Sequence, residues 1–462
     1  MTANDMRPPS PHHLRNDALQ IWHAGVEAVH SPRLVAQQLR VEGSILHVGP
    51  DAVPLKDIRQ IAVVGAGKAG AGMAEAVETA LGPRLMDEKQ LTGWLNVPAD
   101  CVRPLSRIHL HAARPAGVNE PMPEGVAGTE KILRLVESLG PDDLCLCLIS
   151  GGGSALMPAP VPGITLADKL AVTRHLSAAG ANIEQLNTVR KQLSRVKGGG
   201  LLRACRAGRM ATLIISDVLG DPLDVIASGP TVPDSSTPQA ALAILEHFDA
   251  RAAGISAAVF DHLQRAAAAS PRRPAGEGLG VRACRATNTV IGNNRTAVDA
   301  AAREAERLGY AVTAESASRS EGPAEDIGHR LAERARAMRG GRRPACLLSG
   351  GEPVVKLVDA SRRGLGGRNQ QLVLAALEAL ADDGAGGIAL LSGGTDGEDG
   401  PTDAAGAILD AGVLAAARQA GLDPTAYRAH NDAYHFFAPL GALIHTGPTH
   451  TNVCDLRVLL AE

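Results

Sequence analysis

Five charged side chains stand where this chain could do chemistry on an anion: Lys68, Asp217, Glu352, Arg368 and Asp396. Asp217, Glu352 and Asp396 each follow a short apolar run, in ATLIISD, LLSGGE and LLSGGTD. A carboxylate at such a turn can help hold Mg²⁺, which takes few carboxylates alongside phosphate oxygens and water. It can also accept a proton from an attacking hydroxyl. For any one of them, capping a turn or helix is the alternative; three in the same architectural position point to a shared site. Lys68 lies inside Gly65-Ala66-Gly67-Lys68-Ala69-Gly70, a GxGxxG between a strand and a helix. Three readings stay open: a phosphate or anion site, a tight turn with a solvated lysine, and a nicotinamide site. Against the last, Lys68 aims a cation where phosphates would lie. The acidic partner expected about 20 residues on is also poorly matched, since Asp87 and Glu88 fall in a polar stretch. Arg368 opens a helix on the glycine loop GLGGRNQQ, where its fork and the helix amides suit carboxylate or phosphate.

The elements that must position these groups read as strands alternating with helices, hence a layered α/β architecture. Leu144 to Ile149 is wholly apolar, as a strand buried on both faces reads. It ends in Ser150-Gly151-Gly152-Gly153-Ser154, an expected anion-cradling turn of amides and hydroxyls. The same words recur at Ser349–Glu352 and Ser392–Asp396, where they end in a carboxylate. Gln60–Gly65, Trp94–Val97, Ile108–His111, Ala211–Ile215, Thr289–Ile291, Ala311–Ala314 and Cys454–Leu460 are further strands. Asp17–Leu39 reads as a helix broken near Pro32, and 165–207 as mostly helical, with Arg190, Ser194 and Lys197 on one face. An Ala/Pro/Arg/Gly stretch at 266–282 is the expected linker, and residues 1 to about 12 read as disordered.

Composition narrows the classes. With 46 basic and 49 acidic residues the net charge is −3, which gives no argument for nucleic acid or a membrane surface. No run reaches transmembrane length and the N-terminus has no apolar signal core. Seven cysteines without CxxC read as small core residues in a reducing compartment, so a cytoplasmic protein is expected. His430, His435, His445 and His450 with Asp432 could make a zinc site, but their spacing is irregular.

The motifs together resemble a known family. Gly67-Lys68-Ala69, SGGGSALMPAP (150–160), NTVRKQLSRVKGGGL (187–201), ISDVLGDPLDVIASGPT (215–231) and GNN (292–294) resemble the N-terminal part of class II glycerate kinases. LLSGGEP (347–353), GGRNQQ (366–371), LLSGGTDGEDGPTDAAGA (390–407) and HTGPTHTNVCDL (445–456) resemble their C-terminal MOFRL domain. Where the family usually carries glycine in TGPTGTNV, this chain carries His450.

The resemblance implies a Rossmann-like layered α/β domain at 14–265 and a smaller α/β MOFRL domain at 283–462, with the active site in a cleft between them. It implies ATP- and Mg²⁺-dependent phosphorylation of D-glycerate to 2-phosphoglycerate. Lys68, Asp217, Glu352, Arg368 and Asp396 would be catalytic, with Asp217 and Asp396 as metal ligands. Gly65, Gly67, Ser150, Gly151, Gly152, Gly153, Ser154, Lys197 and Asn293 would bind the nucleotide. Partners would be glycerate and ATP, and the Ala/Leu-rich helical surface permits a homodimer. Two rivals remain: an NAD(P)H-dependent hydroxypyruvate reductase, supported locally by GxGxxG alone, and a non-catalytic sugar-acid binder.

Overall fold

The computed structural model describes residues 13–115, 117–118, 120–269, 284–341 and 344–462. The polar start of the chain and residues 270–282 of the expected linker lie outside the described residues, while 266–269 end the helix Ala257–Ala269. The described residues form two compact units, one within Ser31–Ile291 and a second made of Gly292–Glu462 with residues 13–30. Helix α1 (His13–Ala28) therefore belongs with the C-terminal part of the chain.

The first unit is built on strand β1 (Ile61–Ala66), helix α2 (Gly70–Glu88), and strands β2 (Thr92–Pro98), β3 (Ile108–Arg114) and β4 (Leu144–Ile149). Helices α3 (Leu166–Ala178) and α4 (Ile183–Gln192) precede β5 (Arg209–Ile215) and β6 (Arg285–Gly292). The sheet order is β3-β2-β1-β4-β5-β6. The pairs β2/β3, β1/β2, β1/β4 and β4/β5 are parallel. This is the Rossmann order, whose topological switch lies between β1 and β4. Every residue of β1 and β4 is buried, because helices cover both faces of a parallel sheet and no polar alternation is tolerated. A small antiparallel sheet, Leu39–Glu42, Ile45–Val48 and Asp51–Pro54, precedes β1.

In the second unit come helix α5 (Asn294–Arg307), strand β7 (Ala311–Ser316), helix α6 (Ala324–Met338), β8 (Ala345–Gly351), helix α7 (Arg368–Ala379), β9 (Ile388–Gly394), β10 (Gly406–Asp410), β11 (Leu443–Ile444) and β12 (Asp455–Ala461). The order is β7-β8-β12-β9-β10-β11, with β12 antiparallel to both neighbours. Alternate residues face opposite sides. Leu347, Leu390 and Leu459 join the core beneath α6 and α7. Leu348, Leu391, Val458 and Leu460 join that of α1 and α5.

Several expectations change here. The 14–265 and 283–462 division is crossed at both ends: α1 lies on the second sheet, and β6 pairs with β5 of the first. The stripe Leu14, Ala18, Ile21, Trp22 and Val26 is an apolar helix face that fits either sheet by pattern; shape selects the second, where Trp22 packs on Gly393. The break expected near Pro32 within Asp17–Leu39 is present: α1 ends at Ala28, and a separate Ser31–Gln38 helix begins with Pro32 in its first turn. Within 165–207, helix α4 stops at Gln192 and Lys197 lies in a turn beyond it.

Candidate functional site

At the switch point, two glycine turns pack directly on each other. A Cβ on Gly65 would come within 1.9 Å of Leu148 O, and one on Gly67 within 1.9 Å of Ser150 Oγ. Gly65 and Gly67 thus make room for β4 and its turn. Three amides of the GxGxxG loop are committed within the protein, two to the β4 turn and one to β2. Lys68 N donates to Gly151 O at 2.9 Å, Ala69 N to Ser150 Oγ at 3.0 Å, and Gly67 N to Asn96 O at 3.2 Å. A dinucleotide pyrophosphate needs such amides, so the loop is a packing device and the nicotinamide reading loses its local support. Gly152, at φ +79°, turns the chain next to two cations. A Cβ there would lie 3.3 Å from Arg114 Nη2 and 3.6 Å from Lys68 Cγ.

Ser154 and Lys197 are brought together. The buried Lys197 ammonium donates to Ser154 O at 2.9 Å, to Ser154 Oγ, and to Ser228 Oγ at 3.2 Å. Arg190 Nη2 donates to Ser154 Oγ at 2.7 Å, and the Ser154 and Ser228 hydroxyls are 3.0 Å apart. Arg190 and Lys197 meet at one hydroxyl through the turn that follows α4, not through a shared helical face. Burial, followed by the charges of Arg190 and Lys169, pulls the Lys197 pKa well down. Asp217 stands in the loop beyond β5, half-buried.

In the second unit the recurrent Ser-Gly-Gly words are strand, not turn. Ser349, Gly350 and Gly351 end β8, while Ser392, Gly393 and Gly394 end β9. Both triplets pair in identical register with Arg457, Leu456 and Asp455 of β12. Their glycines admit side chains: a Cβ on Gly350 would meet Asn294 Oδ1 at 1.8 Å, and one on Gly351 would meet Glu321 Oε2 at 1.8 Å. The shared register brings Glu352 and Asp396 out at one edge, beside Asp455.

Arg368 is held there by carboxylates. Its Nε and Nη2 donate to Asp455 at 2.7 and 2.9 Å, and its Nη1 to Glu352 at 3.1 Å. Three of the five guanidinium donors are thereby committed. The amides opening α7 are committed as well: Asn369 N and Gln370 N donate to the two oxygens of Asp399 at 3.0 and 2.9 Å. The expected anion site on that helix N-terminus is therefore filled by the protein's own carboxylate. A Cβ on Gly367 would lie 2.2 Å from Asp399 Cγ, which is why the loop needs glycine. Burial pushes the Asp399 pKa up to about 7, against the pull of the two amides. Asp396 Oδ1 accepts the Glu398 N–H at 3.1 Å. Asn293 caps α5 by accepting from Thr296 N at 3.0 Å.

The C-terminal histidines do not converge. His430 faces Ala426 O, His435 faces Asp432, and His445 faces Asp403 O. Among the described residues no group of three or more His, Cys, Asp or Glu is arranged to hold a metal. The sequence pattern did not single out Asp455, Arg114 or Ser228. For Asp455 a signal existed, a carboxylate opening an apolar strand; the other two carry none.

These features define a class: a two-unit α/β protein joining a parallel sheet of Rossmann order to a mixed sheet, each with charged groups at strand ends. Residues 17–264 match a family model described as a domain of unknown function (DUF4147), and 345–455 match the MOFRL family. The chain is 35% identical to the D-glycerate 2-kinase of Thermotoga maritima, covering 97% of this chain and 98% of that one. It is 40% identical to a putative hydroxypyruvate reductase of Agrobacterium vitis, covering 86% of each. The crystal structure of a Thermotoga maritima glycerate kinase superimposes with a TM-score of 0.80 at 34% identity, covering 98% of this chain and all of that one. The chain belongs to the glycerate kinase family. Among the described residues no helix is long and apolar enough to cross a membrane.

Proposed function

We propose that this protein transfers the γ-phosphoryl group of ATP to the 2-hydroxyl of D-glycerate, giving 2-phosphoglycerate and ADP. The observation that carries the reading is the charge at the strand ends. The first sheet sets Lys68 and Arg114 about the Gly152 turn. The second gathers Glu352, Arg368 and Asp455, with Asp396 close enough to act on Glu352. Phosphoryl transfer asks a protein mainly for positioning and charge neutralisation, and these groups supply both signs.

The glycerate 2-oxygen attacks the γ-phosphorus, the bond to the β-phosphate oxygen breaks, and its electron pair leaves with ADP. The hydroxyl proton passes to a carboxylate, Asp217 or Asp396. Lys68 neutralises charge on the transferred group. Arg368, anchored by Asp455, keeps Glu352 in place. Of Asp217 and Asp396, the one that does not take the proton would help hold the Mg²⁺ that accompanies the nucleotide, since that ion takes few carboxylates alongside phosphate oxygens and water; the Glu398 N–H steadies the Asp396 carboxylate beyond β9. When bound, the ion offsets phosphate charge.

The test is ADP formation that depends on D-glycerate, with the product offered directly to enolase. Enolase accepts 2-phosphoglycerate and not the 3-isomer, so it reads the regiochemistry. Nicotinamide oxidation with hydroxypyruvate, without ADP formation from D-glycerate, would overturn the reading in favour of a reductase.

A further inference from the structure

Within the first unit lies a cavity of about 200 Å³ whose walls include Ser154, Lys169, Arg190 and Lys197. Three of these are cations, and they are buried or nearly so. Lys169 Nζ is buried with no hydrogen-bond partner among the described residues. Arg190 and Lys197 spend their donors on the hydroxyl and carbonyl of Ser154, the hydroxyl of Ser228 and the Asn187 side chain. No carboxylate is among the groups acting on any of the three. The one carboxylate in the wall, Glu120, is engaged by Arg174 through two contacts of 3.2 and 2.7 Å. Buried charges are ordinarily paired. Burial holds Lys169 and Lys197 towards their neutral forms, and an anion placed among the three basic groups would favour their charged forms and supply the missing partner.

The cavity's size and chemistry select among anions. It is smaller than the roughly 300 Å³ lower bound of ordinary ligand pockets, so it takes a three-carbon acid and not a nucleotide. A polyphosphate carrying Mg²⁺ would want free carboxylates nearby, and Glu120 is taken. The Ser154 hydroxyl in the wall gives a neutral donor and acceptor that a hydroxylated acid can use.

We infer that the Lys169–Arg190–Lys197 cavity, with Ser154 at its edge, docks the carboxylate of a small 2-hydroxy acid. Resting on the kinase reading, that acid is the D-glycerate to be phosphorylated. Ser154 and Lys197 thereby move from the nucleotide, where sequence placed them, to the acceptor. Lys68 is left for the transferred phosphoryl group.

The experiment is calorimetric binding of D-glycerate to the full chain in the presence of a non-hydrolysable ATP analogue, for wild type, Lys169→Met and Arg190→Met. Charged hydrogen bonds are worth enough that each variant should bind D-glycerate roughly 10- to 100-fold more weakly, with affinity for the analogue unchanged. Unchanged D-glycerate affinity, or loss confined to the analogue, overturns the assignment. On wild type, which needs no variant to fold, D-lactate should compete with D-glycerate while glycerol should not; equal competition by glycerol overturns it as well. Binding without turnover would sink the kinase reading and leave the carboxylate site standing.

Discussion

Asp455 and Arg368 form a two-point ion pair, with Nε 2.7 Å from one carboxylate oxygen and Nη2 2.9 Å from the other. The Asp455 side chain is fully buried at the start of β12, and Arg368 reaches it from the first turn of α7. One strand end thereby fixes the arginine that in turn touches Glu352. Removing one partner of such a pair strands a buried charge, costing about 3 kcal/mol. Asp455→Ala should lose that much in urea unfolding. Arg368→Lys, which keeps the charge but not the fork, should lose less stability yet lower kcat by about 10-fold or more. Equal activity of Arg368→Lys and wild type would show that the fork geometry is not used.

Gly67→Ala should destabilise the first unit. Its Cβ would stand 1.9 Å from Ser150 Oγ and 2.8 Å from Ser150 N. Forced separation of two backbones costs about 1–3 kcal/mol. Thermal unfolding reads the loss, and a fully stable Gly67→Ala would contradict the packing role.

Ser154→Asp should raise KM for D-glycerate more than KM for ATP. The new carboxylate would pair with Arg190 and Lys197, which already point at the Ser154 hydroxyl. Filling the cavity's charge from within should weaken the acceptor by about 10-fold or more, on the scale of a charged hydrogen bond. Steady-state kinetics with each substrate varied in turn separates the two constants.

Stability should rise with pH above neutrality because of Lys169. Burial, then the nearby Arg190, lower its pKa to about 7 from an ordinary 10.5. Between those values the unfolded chain binds more protons than the folded one, so the folded state gains as pH rises. Lys197, lowered by burial and then by Arg190 and Lys169, adds to the slope, while Glu120, lowered by Arg174, and the two arginines keep their charges across this range. Lys169→Met should flatten the rise by up to about 1.4 kcal/mol per pH unit. Denaturant titrations across this range check it; parallel curves for the two proteins would contradict it.

His450 adopts φ +56°. That region costs a side chain with a Cβ roughly 1–2 kcal/mol. His450→Gly should therefore be neutral to stabilising by about 1 kcal/mol, measured by urea unfolding, despite the lost ring. A clear loss would mean that the imidazole holds the loop.

Much of the fold was legible in the residues. Apolar runs without alternation are strands buried on both faces, so β1, β4, β8 and β9 stand where pattern puts them. Carboxylates and cations after such runs reach strand ends, because a strand leaves little else to do at its edge; Lys68, Asp217, Glu352 and Asp396 follow that rule. What pattern could not supply was the partner of each group. The Ser-Gly-Gly words look alike in sequence, yet one is a turn and two are strand ends. Only pairing with β12 tells them apart, since hydrogen-bond register is a contact between segments distant in the chain. The same distance hides which sheet α1 covers, the claim of Asp399 on the α7 amides, and Asp455 as the anchor of Arg368. It also hides the meeting of Lys169, Arg190 and Lys197 around one cavity. By itself, then, the sequence determined which residues carry charge at strand ends and which segments are buried. The tertiary structure decided which of those charges are already neutralised and which three cations are left facing a cavity, because pairing depends on distances that local pattern does not encode.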